Sequence, residues 1–179
     1  MNTEKPTILT VPGLGSSGPL HWQSRWEQLH HCQRVEQAEW DQPVCANWVR
    51  QLHHAICQSP GPVLLAAHSL ACPTVAHWAA THDASRVAGA LLVAPADAER
   101  PDFPAGATGF APLALQRLPF PSIVVASTND EYVTLARARF FADAWGSRLV
   151  NAGARGHLNS DSHLHDWPEG WALLQQLKP

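Results

Sequence analysis

The sequence predicts an α/β fold in which about six mostly parallel strands form one sheet with helices on both faces. Short apolar runs alternate from end to end with longer stretches of helical period, as in a parallel sheet threaded by crossover helices. The runs "LLVAPA" and "IVVAS" are nearly free of polar alternation, as central strands covered on both sides must be. A chain of 179 residues with 45% hydrophobic content can bury one sizeable core, so residues 1–179 are expected to form a single domain.

Taken in order, the apolar run before Pro12 places a strand at Thr7–Val11, and the segment after the glycine turn places a helix at Pro19–Leu29. On that helix Trp22 and Trp26 are spaced i, i+4, which predicts a packed face. "QRVEQ" is short and polar, so the strand Arg34–Gln37 is expected at a sheet edge. A helix follows at Val44–Gln58, then a buried strand Val63–His68 and a helix Leu70–His82 that tolerates Pro73 in its first turn. The strand Gly89–Ala94 leads into Asp97–Pro121, a stretch with five prolines and little period that reads as a long surface connection of the kind that shapes binding sites. The strand Ser122–Ser127, helix Leu135–Trp145, strand Arg148–Asn151 and helix Pro168–Leu177 complete the pattern.

Composition narrows the function. A formal net charge of -3, with 12 scattered Lys and Arg, offers no positive field for nucleic acid. The apolar run Ile8–Val11 is far short of the roughly 7 to 15 residues of a signal-peptide core, and no stretch nears the roughly 18 needed to span a bilayer. A cytoplasmic protein without a membrane partner is expected. Cys32, Cys45, Cys57 and Cys72 lack metal-ligand spacing and are expected as free thiols. The pairs His30-His31 and His53-His54 are neighbours that point about 100° apart on a helix, which predicts solvent-facing residues rather than a metal site.

Two chemistries compete for the first loop, "VPGLGSSGP". Gly13, Gly15 and Gly18 fit the letters of a dinucleotide turn, with Glu36 and Glu39 at about the distance of a ribose-binding acid. Against this, Pro19 favours a helix that begins only after the last glycine, leaving a phosphate facing a loop instead of helix N–H groups. The alternative is a tight turn that presents the backbone N–H of Leu14 to an oxyanion.

A nucleophile opposite that turn decides between them. In "LLAAHSLACP" a buried strand meets a helix at His68-Ser69, and a serine on so sharp a turn is a nucleophile elbow, with the N–H of Leu70 as the second oxyanion donor. The usual small residues two before and two after the serine are here Ala67 and Ala71. By itself Ser69 also suits a helix N-cap, and His68 beside it reads as a packing or positioning residue. Serine needs a base and an orienting acid, in the chain order serine, acid, histidine. Asp130 in "STNDEYV" and His157 in "GARGHLNSDS" stand after the fifth and sixth strands, at the same sheet edge. Asp97 remains a competing acid, whereas Asp161 lies too near His157 along the chain.

The segments "VPGLGSSGPLHWQSRWE", "VEQAEWDQP", "HSLACPTVAHWA", "LLVAPAD", "LPFPSIVVASTNDEYV" and "GHLNSDSHLHDWPEGWALL" together resemble the family of small serine hydrolases that includes retinoblastoma-binding protein nine and the bacterial YdeN-type proteins. The resemblance implies an α/β-hydrolase fold without a separate lid domain, a Ser69-Asp130-His157 triad and serine-hydrolase activity without a cofactor. Departures are Ala71 where the family usually has glycine, "SHLH" at Ser162–His165, and Asn129 in place of a second acid before Asp130. The L-x-C-x-E motif for retinoblastoma-protein binding is missing, because Leu70–Thr74 ends in threonine.

The expected activity is hydrolysis of a small ester, or a thioester or amide, through an acyl-enzyme. Phe103, Phe110 and Leu113 are either acyl-pocket residues or anchors of their loop. The alternatives are a hydrolase-shaped scaffold without turnover, kept open by Ala67 and Ala71, and the dinucleotide reading. Oligomeric state is not legible in the letters.

Overall fold

The structure, a computed structural model, describes residues 5–178. One sheet holds β1 (Thr7–Val11), β2 (Gln33–Arg34), β3 (Val63–His68), β4 (Val87–Val93), β5 (Ser122–Ala126) and β6 (Arg148–Asn151), in the order β2-β1-β3-β4-β5-β6. Every pairing is parallel, so all the strands end at one edge. The helices are α1 (Trp22–His30), α2 (Cys45–Gln58), α3 (Ala71–Thr81), α4 (Leu135–Trp145) and α5 (Pro168–Gln175).

The period-two alternation of strand side chains splits the interior into two cores. Leu65, Ala67, Ala90, Leu92 and Val124 pack with Trp48 and Leu52 of α2, Trp78 of α3 and Phe141 of α4. Their neighbours Leu64, Ala66, Leu91, Val93 and Val125 pack with Trp22 and Trp26 of α1 and with Leu174 of α5. Both faces of the central strands are thus buried, which is why these strands show no polar alternation. Trp22 and Trp26 meet at 4.5 Å between ring centroids and Trp167 lies 5.1 Å from Trp22, so the i, i+4 tryptophans are packing residues.

Three elements, α1, β2 and β4, depart from the sequence expectation for a definable reason, while α2, α3, β5 and α5 are shorter than expected by one or two residues. Helix α1 begins at Trp22 instead of Pro19, because the His21 side chain takes the N-cap position and accepts the Gln23 N–H. Strand β2 holds only Gln33 and Arg34, pairing with Leu9 and Thr10 at the edge; beyond Val35, whose N–H still reaches Thr10, the chain leaves the ladder. Strand β4 starts at Val87, two residues early, because an irregularity at Val63/Leu64 lets Val87 pair with Val63.

The connection Asp97–Pro121 has no helix or strand of its own, yet it is not merely superficial. Phe110 is fully buried against Trp48, and Leu113, Leu118 and Phe120 join the same core. Its backbone is held by the His77 imidazole on Phe110 O and by the Trp145 indole on Ala114 O. Phe110 and Leu113 are therefore anchors of the loop. Phe103 instead faces the pocket described next.

Candidate active site

Strand β3 ends in a turn too tight for ordinary backbone: Ser69 sits at φ 55°, in the left-handed region that non-glycine residues rarely occupy. The turn is closed by Ser69 N–H to Val93 O and Cys72 N–H to Ser69 O, and α3 starts two residues later. Ala67 and Ala71 are both fully buried beneath it, so alanine is small enough on either side for the elbow to form.

The structure brings three sequence-predicted residues together. Ser69 Oγ lies 2.8 Å from His157 Nε2, and His157 Nδ1 lies 2.8 Å and 3.0 Å from the two Asp130 oxygens. A carboxylate only accepts, so Nδ1 carries the proton and donates it to Asp130, leaving the Nε2 lone pair to accept the serine O–H. Asp130 caps no helix: α4 takes Thr134 as its N-cap, while Asp130 Oδ1 accepts the Tyr132 N–H. Asp97, the rival acid, is held at 2.7 Å and 2.9 Å by Arg137, which also binds Glu99. Asp161 likewise makes no bond to His157 among the described residues.

The first loop lies against the elbow. A Cβ on Gly13 would stand 2.9 Å from both His68 O and Ser69 Cβ and 3.2 Å from Leu70 N, so only glycine permits this approach. Leu14 and Leu70 line one pocket with Ser69 and His157, and among the described residues neither backbone N–H has a protein acceptor. The dinucleotide arrangement is not formed. The Gly15 N–H is spent on Trp40 O, α1 begins beyond Gly18, and Glu39 turns back onto the N–H groups of Asp41 and Gln42.

Several residues that organise this site escaped the sequence reading. Asn129 Oδ1 accepts the Gly156 N–H at 2.7 Å and the Ser127 hydroxyl at 2.9 Å, and Ser127 Oγ accepts the Arg155 N–H, so the acid loop holds the histidine loop. Gln23 is fully buried and donates to Val11 O and Ala66 O, fastening α1 to the ends of β1 and β3. The Trp22 indole donates to Leu158 O, just past His157. Tyr132 packs edge-on to the His157 ring at 4.6 Å. For Asn129 the letters offered a signal, an Asx residue in the short loop after a strand; for Gln23, flanked by core tryptophans, they offered none.

His21 and His68 are buried in the wall of this pocket. Burial first, then Arg34 and His157, pushes the His21 imidazole down to about 3, and burial beside His21 and His157 holds His68 well below the usual histidine range. Both bind a proton more readily in the unfolded chain, so the stability they contribute is present above pH about 6.5 and is lost as pH falls below it. His21 alone should remove about 2 kcal/mol between pH 6.5 and 5. Urea unfolding at pH 7 and pH 5 should show this loss, and His21→Asn, which keeps an N-cap acceptor, should reduce it while the share of His68 stays; an unchanged pH dependence would contradict the assignment.

The histidine pairs depart from expectation in part. His31 and His54 are exposed, but His30 stacks on Trp171 at 3.6 Å and His53 Nδ1 accepts the Trp78 indole N–H. All four cysteines are free thiols, and no helix among the described residues is long and apolar enough to cross a membrane. Among those residues no group of three or more His, Cys, Asp or Glu is placed to hold a metal.

The profile described as serine hydrolase matches residues 8–176. The chain is similar to a solved YdeN-like hydrolase from Pectobacterium atrosepticum, with 31% identity, a TM-score of 0.85, and coverage of 98% of this chain and 94% of that one. Two further structures share the fold alone. The ydeN gene product of B. subtilis has 18% identity, a TM-score of 0.77 and coverage of 97% and 98%. Est1E from Butyrivibrio proteoclasticus has 12% identity, a TM-score of 0.70 and coverage of 99% and 90%. Among curated proteins no sequence matches. With a family match over nearly the whole length, a YdeN-like relative covered end to end and an α/β-hydrolase sheet, the chain belongs to the serine hydrolase family, among its small YdeN-type members.

Proposed function

We propose that the chain acts as one α/β-hydrolase domain that cleaves a small carboxylic ester through an acyl-enzyme on Ser69. His157 takes the serine proton as Oγ attacks the scissile carbonyl and returns it to the leaving alcohol; Asp130 holds the imidazole in the required tautomer and stabilises the imidazolium. The N–H groups of Leu14 and Leu70 receive the oxyanion. Water then attacks the acyl-enzyme with His157 again as base, releasing the acid and restoring Ser69. The observation that carries this reading is the 2.8 Å contact between Ser69 Oγ and His157 Nε2, with two free N–H groups on the same pocket.

An ester is favoured over an amide because its leaving group needs less protonation, and a cavity of about 390 Å³ suits a small acyl chain. Phe103, Pro104 and Leu70 give this cavity its apolar walls. The reading carries with it a cytoplasmic protein that needs no cofactor and has neither nucleic acid nor membrane as partner.

A fluorophosphonate probe tests it. The purified protein should take a single adduct that peptide mapping assigns to Ser69, and p-nitrophenyl esters of increasing chain length should report the acyl preference. A folded protein that stays unlabelled overturns the proposal and leaves a scaffold without turnover.

A further inference from the structure

His68 stands directly before Ser69 and takes no part in the proton relay, yet it touches the residue that does. Its Nε2 lies 2.9 Å from the carbonyl oxygen of His157. A carbonyl only accepts, so Nε2 carries the proton and donates it. The ring is 5% exposed, packs 4.9 Å from the His157 ring and meets His21 edge-on at 4.7 Å. The last residue of β3 thus reaches past β4 and β5 to grip the main chain of the loop that follows β6.

That loop needs holding. Gly153 and Gly156 both have positive φ, at 75° and 58°, and no helix or strand supports the stretch that carries His157. Ser127, Asn129 and Trp22 fasten Arg155, Gly156 and Leu158 from the acid loop and from α1. Among the described residues, His68 supplies the one side-chain tie that acts on the His157 main chain itself, and it comes from the turn that presents the nucleophile.

We propose that His68 is a positioning residue for the hydrolysis, fixing the His157 backbone relative to Ser69 so that Nε2 stays in register with Oγ through acylation and deacylation. The proposal rests on the reading of Ser69 and His157 as nucleophile and base. Its physical basis is the steep cost of misalignment: a displacement of about 1 Å at a reacting pair removes on the order of a hundredfold in rate.

Two polar substitutions of similar burial separate positioning from packing. In His68→Gln the side-chain amide nitrogen falls near the place of Nε2 and donates to the same carbonyl; in His68→Asn it is one methylene short. His68→Asn should lower kcat for a p-nitrophenyl ester about 10- to 100-fold with KM within about twofold, and His68→Gln should recover most of the loss. Thermal unfolding of each variant checks folding, and His68→Leu, which fills the space without a donor, replaces the Asn variant if that one fails to fold. Equal losses in the Gln variant and the donorless one, or a change confined to KM, overturn the proposal. A wild-type protein that neither takes the fluorophosphonate label nor turns over any ester sinks the hydrolase reading as well, whereas one that does both while the variants behave alike sinks only the role of His68.

Discussion

Ser69→Ala is expected to lower kcat for a p-nitrophenyl ester by about a millionfold, His157→Ala by a similar factor, and the double variant by no more than either alone. The three values belong together. Without the hydroxyl, His157 has nothing to deprotonate; without the imidazole, the hydroxyl is a neutral alcohol and a poor nucleophile. Residual turnover, about 10³- to 10⁴-fold above water, should survive because the Leu14 and Leu70 N–H groups and the pocket remain. Single-turnover kinetics on the three variants provide the check. Losses that multiplied in the double variant would mean that the two side chains act in separate steps, contrary to a relay closed at 2.8 Å.

The second large effect concerns the acid. Asp130→Asn keeps the shape of the side chain but replaces an acceptor-only group with an amide able to donate to Nδ1. That favours the tautomer whose Nε2 bears the proton and cannot accept one from Ser69. A drop of about 10⁴-fold in kcat is expected. Asp97→Asn should leave the reaction far less affected, because Asp97 is bound to Arg137 and not to the imidazole. Its effect should fall on the Arg137 cluster and hence on stability. Parallel kinetics and thermal unfolding on the two variants decide the matter; the opposite ranking would transfer the acid role to Asp97.

Much of the fold was legible because its punctuation is strong. Strands β1, β3 and β6 and helix α4 stand where the letters put them: β1 runs into Pro12-Gly13, β3 follows Gly61-Pro62, and α4 lies between a Thr134 cap and Gly146 at positive φ. Strand β2 was overextended because its apolar residues serve different ends. Val35 is buried in the core beyond the ladder, while Arg34 is drawn into bonds with Glu27 and Ser24. No propensity distinguishes a valine on a strand from one just past it.

At the candidate site, the meeting of Ser69, Asp130 and His157 was legible because their positions follow from topology: parallel strands bring their following loops to one edge, and each of the three lies just past a strand end. Asp130 was favoured over Asp97, but position alone did not separate them. Both carboxylates follow central strands, and what sets them apart in the structure is Arg137, forty positions from Asp97, which binds that carboxylate while Asp130 meets His157. The supports were equally hidden. His21, Gln23 and Asn129 each hold main-chain atoms, His21 and Asn129 by accepting backbone N–H groups and Gln23 by donating to two carbonyls, and backbone partners leave no mark in the letters.

The connection Asp97–Pro121 is fastened to one core at its middle and far end, through Phe110, Leu118 and Phe120, while its near end lends Arg100, Asp102, Phe103 and Pro104 to the cavity. On the proposed function, part of the substrate's border is therefore supplied by a stretch that carries none of the proton relay. If that function holds, exchanges at these four positions would retune what enters without touching any atom that moves a proton, leaving diet and engine free to vary apart.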